Sequence, residues 1–203
     1  MNLHWAFKAG DVTGGADIDT DDSQWQEVAI PHIMRLENKH CGGNGIYQGV
    51  GWYRRYFRLP GGNGKRVHLQ FEGVMTNCSV YVNGQKARDH FGGYMGFEVD
   101  ITDLVHSDGD NLLAVRVSAE PDPLTPPGKP QGSMDFYYYS GIYRDVRIVL
   151  KDSVYITDPL SGNDSEGGGI FIRWSDVSEE KATADITTVI RNSGGDIAEG
   201  FLV

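Results

Sequence analysis

The sequence predicts an all-β protein of short antiparallel strands stacked as a β-sandwich, with a jelly roll as the best match. Three observations carry this. First, Val67, Leu69 and Phe71 alternate with His68, Gln70 and Glu72, and Val80 and Val82 alternate with Ser79, Tyr81 and Asn83. That two-residue repeat marks half-buried strands. Second, glycine-rich turn signals recur roughly every 8–15 residues, the spacing of sandwiches and barrels. Third, no stretch of twelve or more residues shows the 3.6-residue period of an amphipathic helix.

Taken in order, residues 1–32 read as an edge segment and a long arm, with Trp5, Phe7 and Trp25 as spaced apolar anchors. The acidic, glycine-rich run from Gly10 to Ser23 reads as a solvated surface loop. Asp17, Asp19, Asp21 and Asp22 do not form a calcium loop. Counted from Asp17, the sixth position is Asp22 where glycine is required, and the twelfth is Val28 where glutamate is required. Residues 33–51 are irregular, and His32, His40 and Cys41 lack the paired spacing of a zinc site. Gly61 to Lys65 has the glycines of a phosphate loop but no Gly-Lys-Ser/Thr ending, so it reads as a turn between strands. Asn83-Gly84 is a strong hairpin signal. Phe97 to Val105 gives a short strand and a turn, Ser107 to Asp110 a second turn, and Leu112 to Val117 another strand. A proline-pinned loop, Pro126 to Gly132, then leads through Asp135 and the aromatics Phe136, Tyr137, Tyr138 and Tyr139 into a last strand. In that strand Ile142, Val146, Ile148 and Leu150 share a face with Arg144. A buried arginine needs a partner, so Arg144 is expected to brace the loop through an internal ion pair or to touch a ligand directly.

Composition shifts after Lys151. Residues 152–203 carry 10 acidic and 3 basic side chains, against 18 and 15 in residues 1–151. A glycine-rich break from Ser161 to Gly169 follows a short strand at Val154 to Ile156. Alternating runs then begin at Ile170 and Ala182. The expected division is therefore 1–152 and 153–203.

Overall composition narrows the function. The formal charge of −10 over 203 residues argues against non-specific nucleic-acid binding. No run of 18 apolar residues predicts a membrane span. The first residues lack a signal-peptide pattern, which leaves both the cytoplasm and the periplasm open. Cys41 and Cys78 are the only cysteines; two free thiols are expected, and a disulfide would require the fold to bring them together. No metal or cofactor site is expected.

The stretch Asp135-Phe136 to Ser140-Gly141-Ile142-Tyr143-Arg144-Asp145-Val146 resembles the end of the N-terminal sugar-binding domain of glycoside hydrolase family 2. Further matching pieces run in the family's order: Trp5-Ala6-Phe7, Ile30-Pro31-His32, Gly49 to Arg55, Phe71 to Val74, Val80 to Gly84, and Asn111 to Val117. Pro126-Pro127-Gly128-Lys129-Pro130 is similar to the bacterial β-galactosidase-like members.

The resemblance implies a galactose-binding-like jelly roll over 1–152. It implies that 153–203 is the first part of an immunoglobulin-like domain, in a chain cut from a larger protein. It also implies that the two catalytic glutamates belong to a (β/α)8 barrel outside this sequence, leaving no catalytic residue here. The partners it implies are that barrel and a carbohydrate, a terminal β-galactoside or related sugar, with a homo-oligomer as a further option. By position, Asp135 matches the family's sugar-binding acid, with a structural loop brace as the alternative reading. Asn44 lies in the loop that borders the active site in the family, although Ile33 and Met34 replace the usual Trp after Pro-His. Tyr137 and Tyr139 are candidate subsite residues, at least one tyrosine of the run being needed in the core. Arg144 and Asp145 are candidate supports. Two other functions remain open: a stand-alone carbohydrate-binding module and a purely interdomain scaffold. The expected solvent-facing residues His68, Gln70, Ser79, Tyr81 and Asn83 form no aromatic platform, which counts against the module.

Overall fold

The structure is a computed structural model that describes residues 1–36, 47–59, 61, 64–129, 133–134, 136, 138–159 and 168–200. No α-helix occurs among them. Nine strands precede the long loop: β1 (Trp5–Ala9), β2 (Gln26–Val28), β3 (Val50–Phe57), β4 (Arg66–Phe71), β5 (Val74–Met75), β6 (Asn77–Val82), β7 (Gln85–Phe91), β8 (Phe97–Asp100) and β9 (Asn111–Ser118). Beyond it come β10 (Gly141–Ile142), β11 (Val146–Lys151), β12 (Val154–Ile156), β13 (Ile170–Ser175), β14 (Thr183–Thr188) and β15 (Ile190–Asn192).

One sheet has six strands in the order β2-β1-β3-β9-β6-β7. It packs on the three-stranded sheet β11-β4-β8 and the short pair β10-β5. Every pairing is antiparallel. This is the expected sandwich. The two-residue repeat decides which side chains fill it: Val67, Leu69 and Phe71 from β4 meet Val80 and Val82 from β6 and Val115 and Val117 from β9, all at most 2% exposed. Each such side chain contributes about 1.5–3 kcal/mol on burial. The β6–β7 hairpin turns at Asn83 and Gly84, both at positive φ (50° and 79°), the backbone that Asn-Gly favours.

The Gly10–Ser23 arm is more than a solvated loop. Val12 and Ala16 fold with Trp25 over the outer face of the six-stranded sheet, against Trp52 and Tyr81. Gly15 has no room for a side chain: a Cβ there would fall 2.5 Å from the Trp52 ring. The arm is locked by Arg54, 1% exposed, whose Nε donates to Asp22 at 2.8 Å and whose other nitrogens donate to the carbonyls of Gly15, Asp17 and Thr20.

Two expectations from alternation fail. His68 was placed on a solvent face, yet it is only 4% exposed. Tyr155 covers it edge-on at 5.6 Å, and Glu98 Oε1 lies 2.8 Å from its Nδ1. Arg144 was placed on the buried face of one continuous strand. The chain instead leaves the β10-β5 pair after Ile142 and enters the β11-β4-β8 sheet at Val146. The alternation does not carry through residues 143–145, and Arg144 is exposed with no ion pair among the described residues.

Strands are found where the tail was read: β12 pairs with β15, and β13 with β14. Cys78 is buried and unpaired. Cys41 and His40 lie outside the described residues.

Candidate functional site

The site is built at the two ends of the loop between β9 and β10. Near its start, Asp122 accepts hydrogen bonds from the Leu124 N–H, from Thr125 Oγ1 at 2.6 Å and from Asn77 Nδ2 at 3.1 Å. These bonds make a compact turn ahead of Pro126 and hold the carboxyl below the usual range. The loop's exit is tied to the segment after β2. The Met34 N–H donates to Ser140 O and the His32 N–H to Ile142 O, both at 2.8 Å. Between these bonds Gly141 adopts φ 131°, and a Cβ there would fall 2.4 Å from His32 O. Only glycine lets the two segments approach this closely.

His32 and Tyr53 complete the anchor. Tyr53 is fully buried, and its hydroxyl lies 2.8 Å from His32 Nδ1. Burial raises the Tyr53 phenol and lowers the His32 imidazole, so both are neutral at pH 7.

A cavity of about 490 Å³ opens against this exit, lined among the described residues by Pro31, Ile33, His32, Met75, Tyr94, Tyr138, Tyr139, Tyr143 and Arg144. Among the described residues of the aromatic run, Tyr138 turns inward at 9% exposed, whereas Phe136 and Tyr139 are 49% and 41% exposed. Burial, then the neighbouring Tyr94, raises the Tyr138 phenol. Tyr143 donates to Gly93 O at 2.6 Å, and the Arg144 guanidinium lies over its ring at 5.3 Å. A second cavity, about 370 Å³, shares Tyr94 and Arg144 and includes Glu72, Glu98 and Asp158.

Of the residues singled out by sequence, Tyr139 and Arg144 come together at the first cavity. Asp145 faces away: it accepts from Asn2 Nδ2 at 2.8 Å and from Arg147, while its carbonyl accepts the Glu72 N–H, so it braces the amino-terminal segment. Asp135, Tyr137 and Asn44 lie outside the described residues. Tyr94 and Tyr143 were missed as site residues. The one local signal for Tyr94 is its place after Gly92-Gly93, where an aromatic is held at the mouth of strand β8.

The chemistry on offer is recognition. Tyrosine faces pack on apolar C–H surface, and hydroxyls and a guanidinium supply hydrogen bonds. Glycoside hydrolysis needs a pair of carboxylates flanking the bond, and no carboxylate lines the tyrosine cavity among the described residues.

Comparison with known proteins agrees. The model for "Glycosyl hydrolases family 2, sugar binding domain" matches residues 40–152. A β-galactosidase from Thermoanaerobacter pseudethanolicus is 32% identical over 96% of this chain and 27% of its own length. A putative β-glucuronidase from Formosa agariphila is 33% identical over 82% of this chain and 20% of its own. Among solved structures, a Bacteroides uniformis β-glucuronidase superposes with TM-score 0.83 at 32% identity, covering 96% of this chain and 22% of that one. A putative β-galactosidase from Bacteroides fragilis superposes with TM-score 0.80 at 31% identity, covering 96% and 28%. The chain thus spans about a quarter of the length of such relatives. With the sandwich, the glycine-pinned loop exit and a matched stretch that includes that loop, the chain belongs to glycoside hydrolase family 2 and carries its N-terminal sugar-binding domain.

Proposed function

We propose that this chain places a terminal sugar for hydrolysis by a longer glycoside hydrolase, with a β-galactoside as substrate and Asp135 as the residue that binds its hydroxyls. Residues 1–152 are read as the sugar-binding jelly roll, and 153–203 as strands of a following immunoglobulin-like unit. The observation that carries the reading is the construction of the loop exit. Gly141, Ser140 and the His32–Tyr53 pair fix the backbone five to six residues after Asp135. A carboxylate so close in sequence to a firmly anchored backbone suits substrate placement, where reaction rate depends on near-attack geometry. Tyr139, Tyr137 and Asn44 are proposed to line the same subsite, with Asp145 as support. The galactoside is favoured by the Pro126–Pro130 lead-in and by the β-galactosidases among the relatives, some of which are β-glucuronidases instead.

The test is hydrolysis by the longer protein of nitrophenyl β-galactoside against nitrophenyl β-glucuronide, with the 203-residue chain assayed alongside. The longer protein is expected to turn over the galactoside, and this chain alone to turn over neither. Exclusive β-glucuronidase activity would replace the substrate. Turnover by this chain alone would overturn the reading of it as non-catalytic.

A further inference from the structure

We infer that His32 is a specificity-determining residue of the tyrosine cavity. Its Nε2–H is a fixed, uncharged donor to a hydroxyl or ring oxygen of a bound glycoside, and Tyr53 is the positioning residue that puts the hydrogen on that nitrogen. This rests on the reading of the chain as a sugar-placing domain and adds to it a residue that lies outside the 119–140 loop.

The hydrogen bonds around Tyr53 decide the tautomer. Tyr53 is fully buried, and the Ile142 N–H donates to its hydroxyl. A buried hydroxyl also needs an acceptor for its own hydrogen. Among the described residues the group in reach is His32 Nδ1, at 2.8 Å. Burial favours the neutral His32 imidazole, and a neutral imidazole has one donor nitrogen and one acceptor. With Nδ1 accepting, the hydrogen lies on Nε2. Were Nδ1 the donor, Tyr53 would receive two hydrogens and its own would be left buried and unpaired, which is costly. The ring is held in place: the His32 N–H bond to Ile142 O fixes the backbone, and Phe7 and Tyr53 pack on the imidazole with centroids at 4.8 and 5.6 Å.

The other edge of that ring borders the cavity. His32 is half-buried and lines it. Nε2 bonds no described residue, and it is not one of the sealed, unpaired nitrogens among them, which belong to Arg55, Arg66 and His68. The remaining groups of the lining offer something different. Pro31, Ile33 and Met75 are apolar. Tyr143 already donates to Gly93 O. Arg144 also lines the second cavity, beside Glu72, Glu98 and Asp158, so its charge is shared with acids there. A tyrosine hydroxyl turns to give or to take a hydrogen, whereas Nε2–H only gives. An apolar cavity with one fixed neutral donor selects an uncharged acceptor oxygen beside C–H surface. A metal ion or an amine is refused at this atom, because a protonated Nε2 has no lone pair to offer.

The test reads the ring nitrogens and the binding of this chain, so its outcome is separate from hydrolysis by the longer protein. Nitrogen-15 spectra of the histidine rings are recorded at neutral pH during titration with methyl β-galactoside and with sodium sulfate, for wild type and His32→Asn. Asparagine Oδ1 takes the place of Nδ1 and accepts from Tyr53, but no atom of it reaches the place of Nε2, so the anchor is kept and the donor removed. Wild-type His32 is expected to carry its hydrogen on Nε2, and methyl β-galactoside to shift that nitrogen while sulfate does not. His32→Asn is expected to keep the thermal midpoint and to weaken methyl β-galactoside binding about fivefold, the size of one neutral hydrogen bond. The wild-type spectra decide by themselves if the variant fails to fold. Hydrogen on Nδ1, no shift of Nε2 with the glycoside, an equal shift with sulfate, or undiminished binding by folded His32→Asn would overturn the inference.

Discussion

Lys151 Nζ lies 2.7 and 2.8 Å from the two carboxylate oxygens of Glu98, at the point where the first sandwich hands the chain to the strands that follow. Glu98 is 3% exposed. Burial alone would raise its carboxyl, but hydrogen bonds from His68, Lys151 and Gln70 outweigh that and bring it down to about 2. Tyr155 closes the cluster, with its ring 4.9 Å from Lys151 Nζ and edge-on to His68, and Asp158 accepts from the same Gln70 Nε2 that donates to Glu98. The junction is thus a buried polar knot shared by β4, β8, β11 and the strand after them.

Removing one member of a buried pair strands the other, at a cost of about 3–5 kcal/mol. Lys151→Met is expected to lower stability by about 3 kcal/mol. The pH dependence has a definite sign. The Glu98 carboxyl titrates lower folded than its ordinary value near 4.5, so its stabilisation is complete above that value and is lost as pH falls toward 2. Urea midpoints of wild type and Glu98→Gln should differ by a constant amount above pH 5 and converge below pH 4.5. A gap that stays constant down to pH 3 would contradict this.

Arg54 gives a second, local outcome. Its guanidinium holds Asp22 and three arm carbonyls at once. A lysine keeps the charge but not the planar fork. Arg54→Lys is expected to cost about 2–3 kcal/mol and to expose residues 11–24 to limited proteolysis before the rest of the chain. An uncut arm at equal protease exposure would show that the arm is held by Trp25 and Ala16 packing instead.

Gly141→Ala should disturb the loop exit. Its Cβ would meet His32 O at 2.4 Å in a φ region that side chains avoid. The cost is expected at about 2 kcal/mol or more, read as a lower thermal midpoint and altered His32 and Tyr53 resonances. Gly195→Ala, where nothing lies within 4 Å, is the matched control and is expected to be near neutral.

How much of this was legible in sequence depended on how locally each feature is encoded. The β6–β7 hairpin was, because Asn83-Gly84 carries its own turn geometry. The alternation of β4 and β6 placed Val67, Leu69, Val80 and Val82 correctly in the core. The same alternation misplaced His68, because its cover, Tyr155, comes from a distant strand. It misplaced Arg144 as well, because a chain that changes sheets restarts its register. Arg54 stood in a recognised motif, but its partners lie in an arm with no periodic signal. The tyrosine cavity gathers Tyr94, Tyr138, Tyr139 and Tyr143 from separate segments, and only the fold brings them together.

The paired strands β13 and β14 expose Ile170, Ile172, Trp174 and Ile186 at 55%, 55%, 61% and 63%. Such a contiguous apolar face, on strands whose outer edges pair with no other described strand, is a template for another chain. This chain is expected to associate with rising concentration in light scattering, and a chain ending near Asp158 to remain monomeric. Trp174→Ser with Ile186→Thr should reduce the association. A monomer at every concentration would contradict it.

The most direct measurement is the activity of the proposed longer glycoside hydrolase with Asp135→Ala and Asp135→Asn. If Asp135 positions the sugar, kcat/KM on nitrophenyl β-galactoside is expected to fall by about 10²-fold or more in both variants, with the thermal midpoint unchanged. Activity within about twofold of wild type at unchanged stability, against the tenfold that each 1.4 kcal/mol represents, would show that the loop braces the protein and does not hold the substrate.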